Sequence, residues 1–331
     1  MAKKTTVTVR TLAAELGVAP ITVSRALRGH DTVRAELAAR VRKLAKQRGY
    51  RADPVVAEVM GGLGRSKGAR YRETIAFVWT HERSESSAEE RGARTAAEAL
   101  GYRMEVVKPW TQGLAEHDVS RILWSRGIRG VLLAPNYNRP DPRYELEWAK
   151  FATVLMGSSL VNTGLTRVSR DYYHDAKLAL AGLRTAGFAR VGLVLDTSIH
   201  ERTDRRYAAA FGEYGGRPSL LHIVNTGRPP GPEQTRFEQW LTRAKPDVLL
   251  TDFLHAGQWV PPTLPHGRLM LRPADAGMGV RADFTRVGAE AMRCLDGLLR
   301  AHRLGVLAEP VSVLVPGVWT PGGRTNETAA E

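Results

Sequence analysis

Val9-Arg10-Thr11-Leu12-Ala13-Ala14-Glu15-Leu16-Gly17-Val18-Ala19-Pro20-Ile21-Thr22-Val23-Ser24-Arg25-Ala26-Leu27 is the stretch whose reading decides the class of this chain. Apolar residues recur at helical spacing as Leu12 and Leu16, then Val18, Ile21 or Val23, and Leu27. Gly17 stands where the chain must turn sharply, a position that favours a residue tolerant of positive φ. Pro20 suits the first turn of a second helix, where a missing N–H costs nothing. Two short helices about a tight turn make a helix-turn-helix, whose second helix enters the major groove of DNA. Double-stranded DNA is therefore the expected partner.

The charge distribution points the same way. Residues 1–72 hold 16 Lys or Arg against 5 Asp or Glu, whereas the rest of the chain holds 32 against 29. Most of the net charge of +14 thus sits in about a fifth of the 331 residues. A solubility charge would be spread evenly; a concentrated one is an electrostatic footprint for nucleic acid. The single cysteine, Cys294, excludes an internal disulfide and argues against a cysteine metal site. No run of 18 apolar residues occurs, and no apolar stretch of signal-peptide type follows Met1 to Thr6. No membrane association, no cofactor and a cytoplasmic location are expected.

A third helix is expected from about Arg34 to Arg48, with Leu37, Val41, Leu44 and Ala45 as its stripe and Gly49 ending it. Thr11 to Leu27, Val33, this helix and Gly49-Tyr50-Arg51-Ala52-Asp53-Pro54 together resemble the headpiece of the LacI/GalR family of bacterial transcription regulators. Ala13-x-x-Leu16-Gly17-Val18 and Thr22-Val23-Ser24-Arg25 carry the likeness, which extends over essentially the whole chain. It implies that Pro20, Ile21 and Arg25 read base edges and that Thr22 and Ser24 contact phosphates. Thr8, Arg28 and Arg34 complete the residues it places at DNA. Arg25 suits guanine, because its fork matches O6 and N7. Ile21 has no hydrogen-bonding group and would pack on a thymine methyl. Ala19 and Arg34 stand where the family often has a capping Ser, each losing roughly 1 kcal/mol of N-cap stabilisation. After the headpiece at 1–52, residues 53–72 would form the hinge and linker, with Val59 and Met60 as minor-groove wedges.

From Glu73 the pattern changes to strands alternating with helices. Ile75 to Trp79, Gly130 to Ala134, Phe151 to Met156 and Val191 to Leu195 read as buried strands, and helices are expected around Ala93 to Leu100, Val119 to Leu123 and His174 to Ala186. The resemblance implies a periplasmic-binding-protein-like core at 73–331, made of two doubly wound parallel-sheet subdomains. The first is placed at about 73–168 and 280–310, the second at about 169–279 and 311–331. Ligands bind such sheets at the carboxyl ends of the strands, which singles out Trp79, Asn136, Tyr137, Asp171, Asp196 and Asp252. Trp79 would stack on a sugar or base ring, and Asp171 would take ligand hydroxyls.

The cluster Glu201 to Arg206 opens the helix leading to Phe211. The family's Arg-x-x-Gly would place Thr203 at the arginine and Arg206 at the glycine, leaving Arg202 or Arg205 as the ligand-binding cation. After Asp252 the family has a full helix, then a strand ending in an effector-binding Asp. Here Phe253 to Gly267 is short and carries Pro261, Pro262 and Pro265, so a long helix cannot fit. Asp275 is the nearest acid. Ala289 to His302 reads as an amphipathic helix, with Cys294 beside its stripe.

Catalytic signatures are missing: no Gly-x-Ser-x-Gly, P-loop, HExxH or CxxC occurs, and Gly277-x-Gly279 lacks the rest of a dinucleotide motif. The pair Glu89-Glu90 reads as solvated charge on an exposed helix. The sequence points to a non-enzymatic homodimeric DNA-binding regulator, a repressor on a pseudo-palindromic operator, released by a sugar-like or nucleoside-like effector. The alternatives are an effector-independent regulator and a small-molecule binding protein with a vestigial DNA module.

Overall fold

Among the described residues, the N-terminal sequence builds three short helices: α1 Val9–Leu16, α2 Pro20–Leu27 and α3 Ala35–Gln47. The computed structural model describes residues 9–27, 34–48, 73–82, 86–136, 143–161, 164–252, 259–271, 275 and 277–321. Gly17 makes the α1–α2 turn at φ 65°, in the left-handed region that glycine enters without steric cost. Leu12, Ala13, Val23, Ala26, Ala38, Val41 and Ala45 form one small core. An exposed Arg48–Glu15 ion pair at 2.6 Å joins the end of α3 to α1.

The second unit, Arg70–Glu331, is described by itself. In chain order it contains β1 Glu73–Val78, α4 Ala88–Ala99, β2 Tyr102–Val107, α5 Glu116–Ser125, β3 Gly130–Leu133, β4 Ala152–Met156 and β5 Thr166–Arg170. Then come α6 Tyr172–Thr185, β6 Val191–Asp196, α7 Thr197–Arg202, α8 Arg206–Glu213, β7 Leu221–Val224, α9 Pro230–Ala244 and β8 Val248–Thr251. β9 His266–Leu271, β10 Gly279–Arg281, α10 Phe284–Arg300, β11 Ser312–Val315 and β12 Val318–Thr320 complete it. Two six-stranded sheets result, ordered β11-β5-β4-β3-β1-β2 and β12-β10-β9-β8-β6-β7. Among the described residues all strand pairs are parallel except β10 with β12.

The apolar runs are continuous because both faces of the first sheet are covered. Ile75 and Phe77 point to the face packed by α4 and α10, while Ala76 and Val78 point to the face packed by Val119 and Leu123 of α5. The second sheet is packed by Ala176, Ala179, Leu180 and Leu183 of α6 and by Phe237 and Trp240 of α9. On α10, Val287, Ala291, Met292, Leu295 and Leu298 are buried; each large side chain contributes roughly 1.5–3 kcal/mol.

Several boundaries differ from the sequence reading. Ser312–Val315 pairs with β5 in the first sheet, so the last crossing between subdomains lies at 316–317 and not at 310. The preceding crossing lies at 282–283, between β10 and α10, rather than at 280. α10 begins five residues before Ala289, where Asp283 accepts the Arg286 N–H and caps it. Glu201 to Arg206 do not open one helix. Asp204 and Arg205 both take positive φ, 50° and 58°, and separate α7 from α8. Glu89 and Glu90 are buried, not solvated: Glu90 accepts from the Trp79 indole at 3.1 Å and from Arg94 at 3.2 Å. Cys294 packs beside the core that α4 and α10 build on the first sheet, as its place near the stripe implied.

α4 and α10 approach so closely that they cross on glycines. A Cβ on Gly288 would lie 1.9 Å from the Glu89 carbonyl oxygen, and one on Gly92 would lie 1.9 Å from that of Thr285. Gly288→Ala is expected to cost about 3 kcal/mol, at the upper end of overpacking penalties, because backbone must move. Gly297→Ala on the same helix meets nothing within 4 Å and is expected to stabilise by about 0.5–1 kcal/mol through helix propensity. Urea midpoints check both; equal midpoints for the two variants would contradict the close crossing.

Candidate nucleic-acid interface and effector cleft

In the N-terminal unit, Val23 and Ala26 of α2 are fully buried, Pro20 is exposed and Thr22 is half-buried. Ile21, Ser24 and Arg25 are positions of this same helix. Arg34 is exposed immediately before α3. Thr8, Arg28, Val59 and Met60 lie outside the described residues.

The strand ends of the second unit place the remaining candidates. Trp79 follows β1 but is 1% exposed, packed edge-on against Phe77 and His81 with its N–H on Glu90. It is a core residue and offers no open face for stacking a ring. Asn136 follows β3 and is buried: its backbone N–H donates to Ser159 Oγ at 2.7 Å and its side-chain amide to the Thr80 carbonyl at 3.0 Å. It thereby ties together the loops after β1, β3 and β4. Tyr137 lies outside the described residues. Asp171, half-buried, caps α6 by accepting the His174 N–H at 3.0 Å.

In the second sheet, Asp196 and Asp252 end adjacent strands but differ chemically. Asp196 Oδ1 accepts the Ser198 N–H at 2.8 Å, and Oδ2 accepts from the Thr226 hydroxyl at 2.6 Å. Burial opposes its charge, yet these donors hold its carboxyl below the usual range. Asp252 accepts the Asp196 N–H on Oδ1 at 3.3 Å, and among the described residues its buried Oδ2 has no hydrogen-bond partner. Burial pushes Asp252 up to about 7, with the Asp196 charge adding to it and Arg202 opposing. Arg202 ends α7, half-buried; Arg205 is exposed in the α7–α8 break. Asp275 is half-buried and accepts from Arg268 at 3.4 Å. The cleft ends of the strands thus bring Asp196, Arg202 and Asp252 together; Asp275 is engaged by Arg268.

The sequence reading missed Arg170 and Asp175. Arg170 closes β5 and Asp175 lies on α6; they form an ion pair at 2.6 Å with side chains 7% and 0% exposed. A signal was present. Tyr172, Asp175, Ala176, Ala179 and Leu183 share one helical face, and a carboxylate in an apolar stripe demands a buried cation. Although burial disfavours its charge, Tyr207 and Asp175 keep the Arg170 guanidinium above its ordinary pKa. Arg167 on the same strand donates to the Gly157 and Leu160 carbonyls at 2.7 and 2.6 Å, fixing the loop after β4.

No group of His, Cys, Asp or Glu suited to a metal ion occurs among the described residues. No helix among them is long and apolar enough to cross a membrane.

No protein-family model and no curated protein matches the chain. Solved structures do. The transcriptional regulator CelR in its cellobiose complex is 17% identical with a TM-score of 0.51, covering 96% of this chain and 100% of that one. A LacI transcriptional regulator from Lactobacillus brevis is 15% identical with a TM-score of 0.54, covering 75% and 99%. A LacI family regulator from Enterococcus faecium with bound ribose is 12% identical with a TM-score of 0.50, covering 75% and 96%. Two doubly wound sheets joined by three crossings make a periplasmic-binding-protein-like fold, which this chain shares with these solved transcriptional regulators.

Proposed function

We propose that the chain is a sequence-specific DNA-binding transcriptional regulator of the LacI/GalR type, a cytoplasmic, non-enzymatic repressor. It acts as a homodimer on a pseudo-palindromic operator, and a sugar-like or nucleoside-like molecule in the cleft shifts the core between arrangements and weakens operator binding. The observation that carries this is the likeness to CelR, which covers 96% of the chain. The basic surplus of residues 1–72 supports it. In this reading α2 enters the major groove, Arg25 and Ile21 meet bases, Thr22 and Ser24 meet phosphates, and Thr8, Arg28 and Arg34 add contacts. Val59 and Met60 wedge the minor groove. The cleft ligand meets Asn136, Tyr137, Asp171, Arg202, Arg205, Asp252 and Asp275.

Selection of bound sequences from a random DNA pool by the full chain tests the reading; recovery of no symmetric motif overturns it. Against the recovered motif, Arg25→Ala is expected to lose roughly 1–3 kcal/mol and to relax preference at one base pair. Equal losses on motif and random DNA would show that Arg25 contacts backbone only.

A regulator without an effector is the second possibility, favoured by the enclosure of Trp79 and the engagement of Asp275. Thermal shift against sugars and nucleosides decides: a hit that also releases operator ends it.

A further inference from the structure

Three chain segments pass between the two sheets, and one buried ion pair lies on the first, is hydrogen-bonded to the third and faces the start of the helix that follows the second. The first runs from β5 into α6, the second from β10 into α10, and the third from β11 into β12. Arg170 belongs to the first. Its Nη2 donates to Asp175 Oδ2 at 2.6 Å and to the Leu269 carbonyl of β9 at 2.7 Å. Asp175 Oδ1 accepts the Gly317 N–H of the third crossing at 2.8 Å. The guanidinium also lies 6.0 Å from the ring centroid of Phe284, which opens α10 after the second crossing. Beside the first and third crossings, the Asp171 N–H donates to the Val315 carbonyl at 3.0 Å.

We propose that the Arg170–Asp175 pair is the pivot of the core: it gathers the three crossings at one point and fixes the angle at which the two sheets meet. A charge pair with this many partners is directional, whereas apolar packing tolerates sliding; that difference is what an angle-setting element requires. The pair is buried and short, so its geometry is stiff. The adjoining space, lined by Arg170, Gly157, Tyr172 and Phe284 among others, is about 10 Å³, the size of one water and too small for sugar. Rearrangement of the core then turns about this point and does not break it. The inference deepens the regulator reading for the switching step, but its test uses neither DNA nor effector, so the two can fail separately.

Spin labels at Glu98→Cys on α4 and Gln239→Cys on α9, in a full chain carrying Cys294→Ala, report the distance between the two subdomains; both sites are exposed. In Arg170→Met/Asp175→Asn the ion pair is gone while an oxygen remains for the Gly317 N–H. The distance distribution is expected to broaden roughly twofold, with the cooperative melt retained. An unchanged distribution in the folded variant overturns the proposal. Should the variant not fold, hydrogen exchange of the labelled parent decides. The Gly317 and Asp171 amides are expected among its slowest; exchange at the rate of exposed loops overturns the pivot.

Discussion

Asp252→Asn is expected to remove a pH dependence of stability that is on the order of 4 kcal/mol in the native chain. The Asp252 carboxyl is pushed up to about 7 in the fold, against an ordinary value of 3.8, chiefly by burial. A raised folded-state value means that the fold prefers the protonated form. Its contribution is therefore fully present below about pH 4 and is lost as pH rises through about 7. Three pH intervals at about 1.4 kcal/mol each give the magnitude. His200 and His222, lowered mainly by burial, act with the opposite sign as pH falls below their ordinary value of 6.5. The informative quantity is thus the difference between native and variant unfolding free energies, measured by urea titration across this window. Curves that stay parallel from acid to neutral pH would mean that Asp252 is solvated and ionised throughout.

Asp175→Leu is expected to destabilise the core by about 3–5 kcal/mol, a large fraction of the roughly 5–15 kcal/mol that holds a domain together. The loss comes less from the missing attraction than from what stays behind. Arg170 keeps a charge in a site 7% exposed, and the Gly317 N–H loses its acceptor. Arg121→Ala, which breaks an exposed pair with Asp118, is expected to leave the midpoint unchanged. If Asp175→Leu unfolds at the native urea concentration, the pair is dispensable and water reaches Arg170.

The strands of the first sheet were legible because burial on both faces writes continuous apolar runs such as Ile75 to Trp79. The α1–α2 turn was legible because Gly17 alone fits its conformation cheaply. Other features had no such mark. Asp204 and Arg205 adopt left-handed backbone without being glycine, so their break between helices cannot be read from composition. Val311 to Val315 is apolar in a way that suits either sheet, and only pairing shows that β11 joins β5. Within the cleft, strand ends were located correctly, but the state of each side chain depends on distant partners. Asp196 and Asp252 look alike in sequence, and Ser198 and Thr226 make one an ion while the other is left with an orphan oxygen. Trp79 reads as a ligand platform until Glu90, eleven residues on, is seen to claim its N–H.

The crossings also impose an order on biosynthesis. β6 to β10, five of the six strands of the second sheet, are encoded between β5 and α10 of the first. A ribosome therefore finishes most of the second subdomain while the first still lacks the helix that covers Ile75, Phe77 and Val154 and the strand that closes the β5 edge. Until α10 and then β11, ending at residue 315, have emerged, the first sheet keeps part of one apolar face uncovered and its β5 edge unpaired. The segment exposed longest to chaperones and misassembly is thus the earliest part of the core to be made, and its rescue waits on the last.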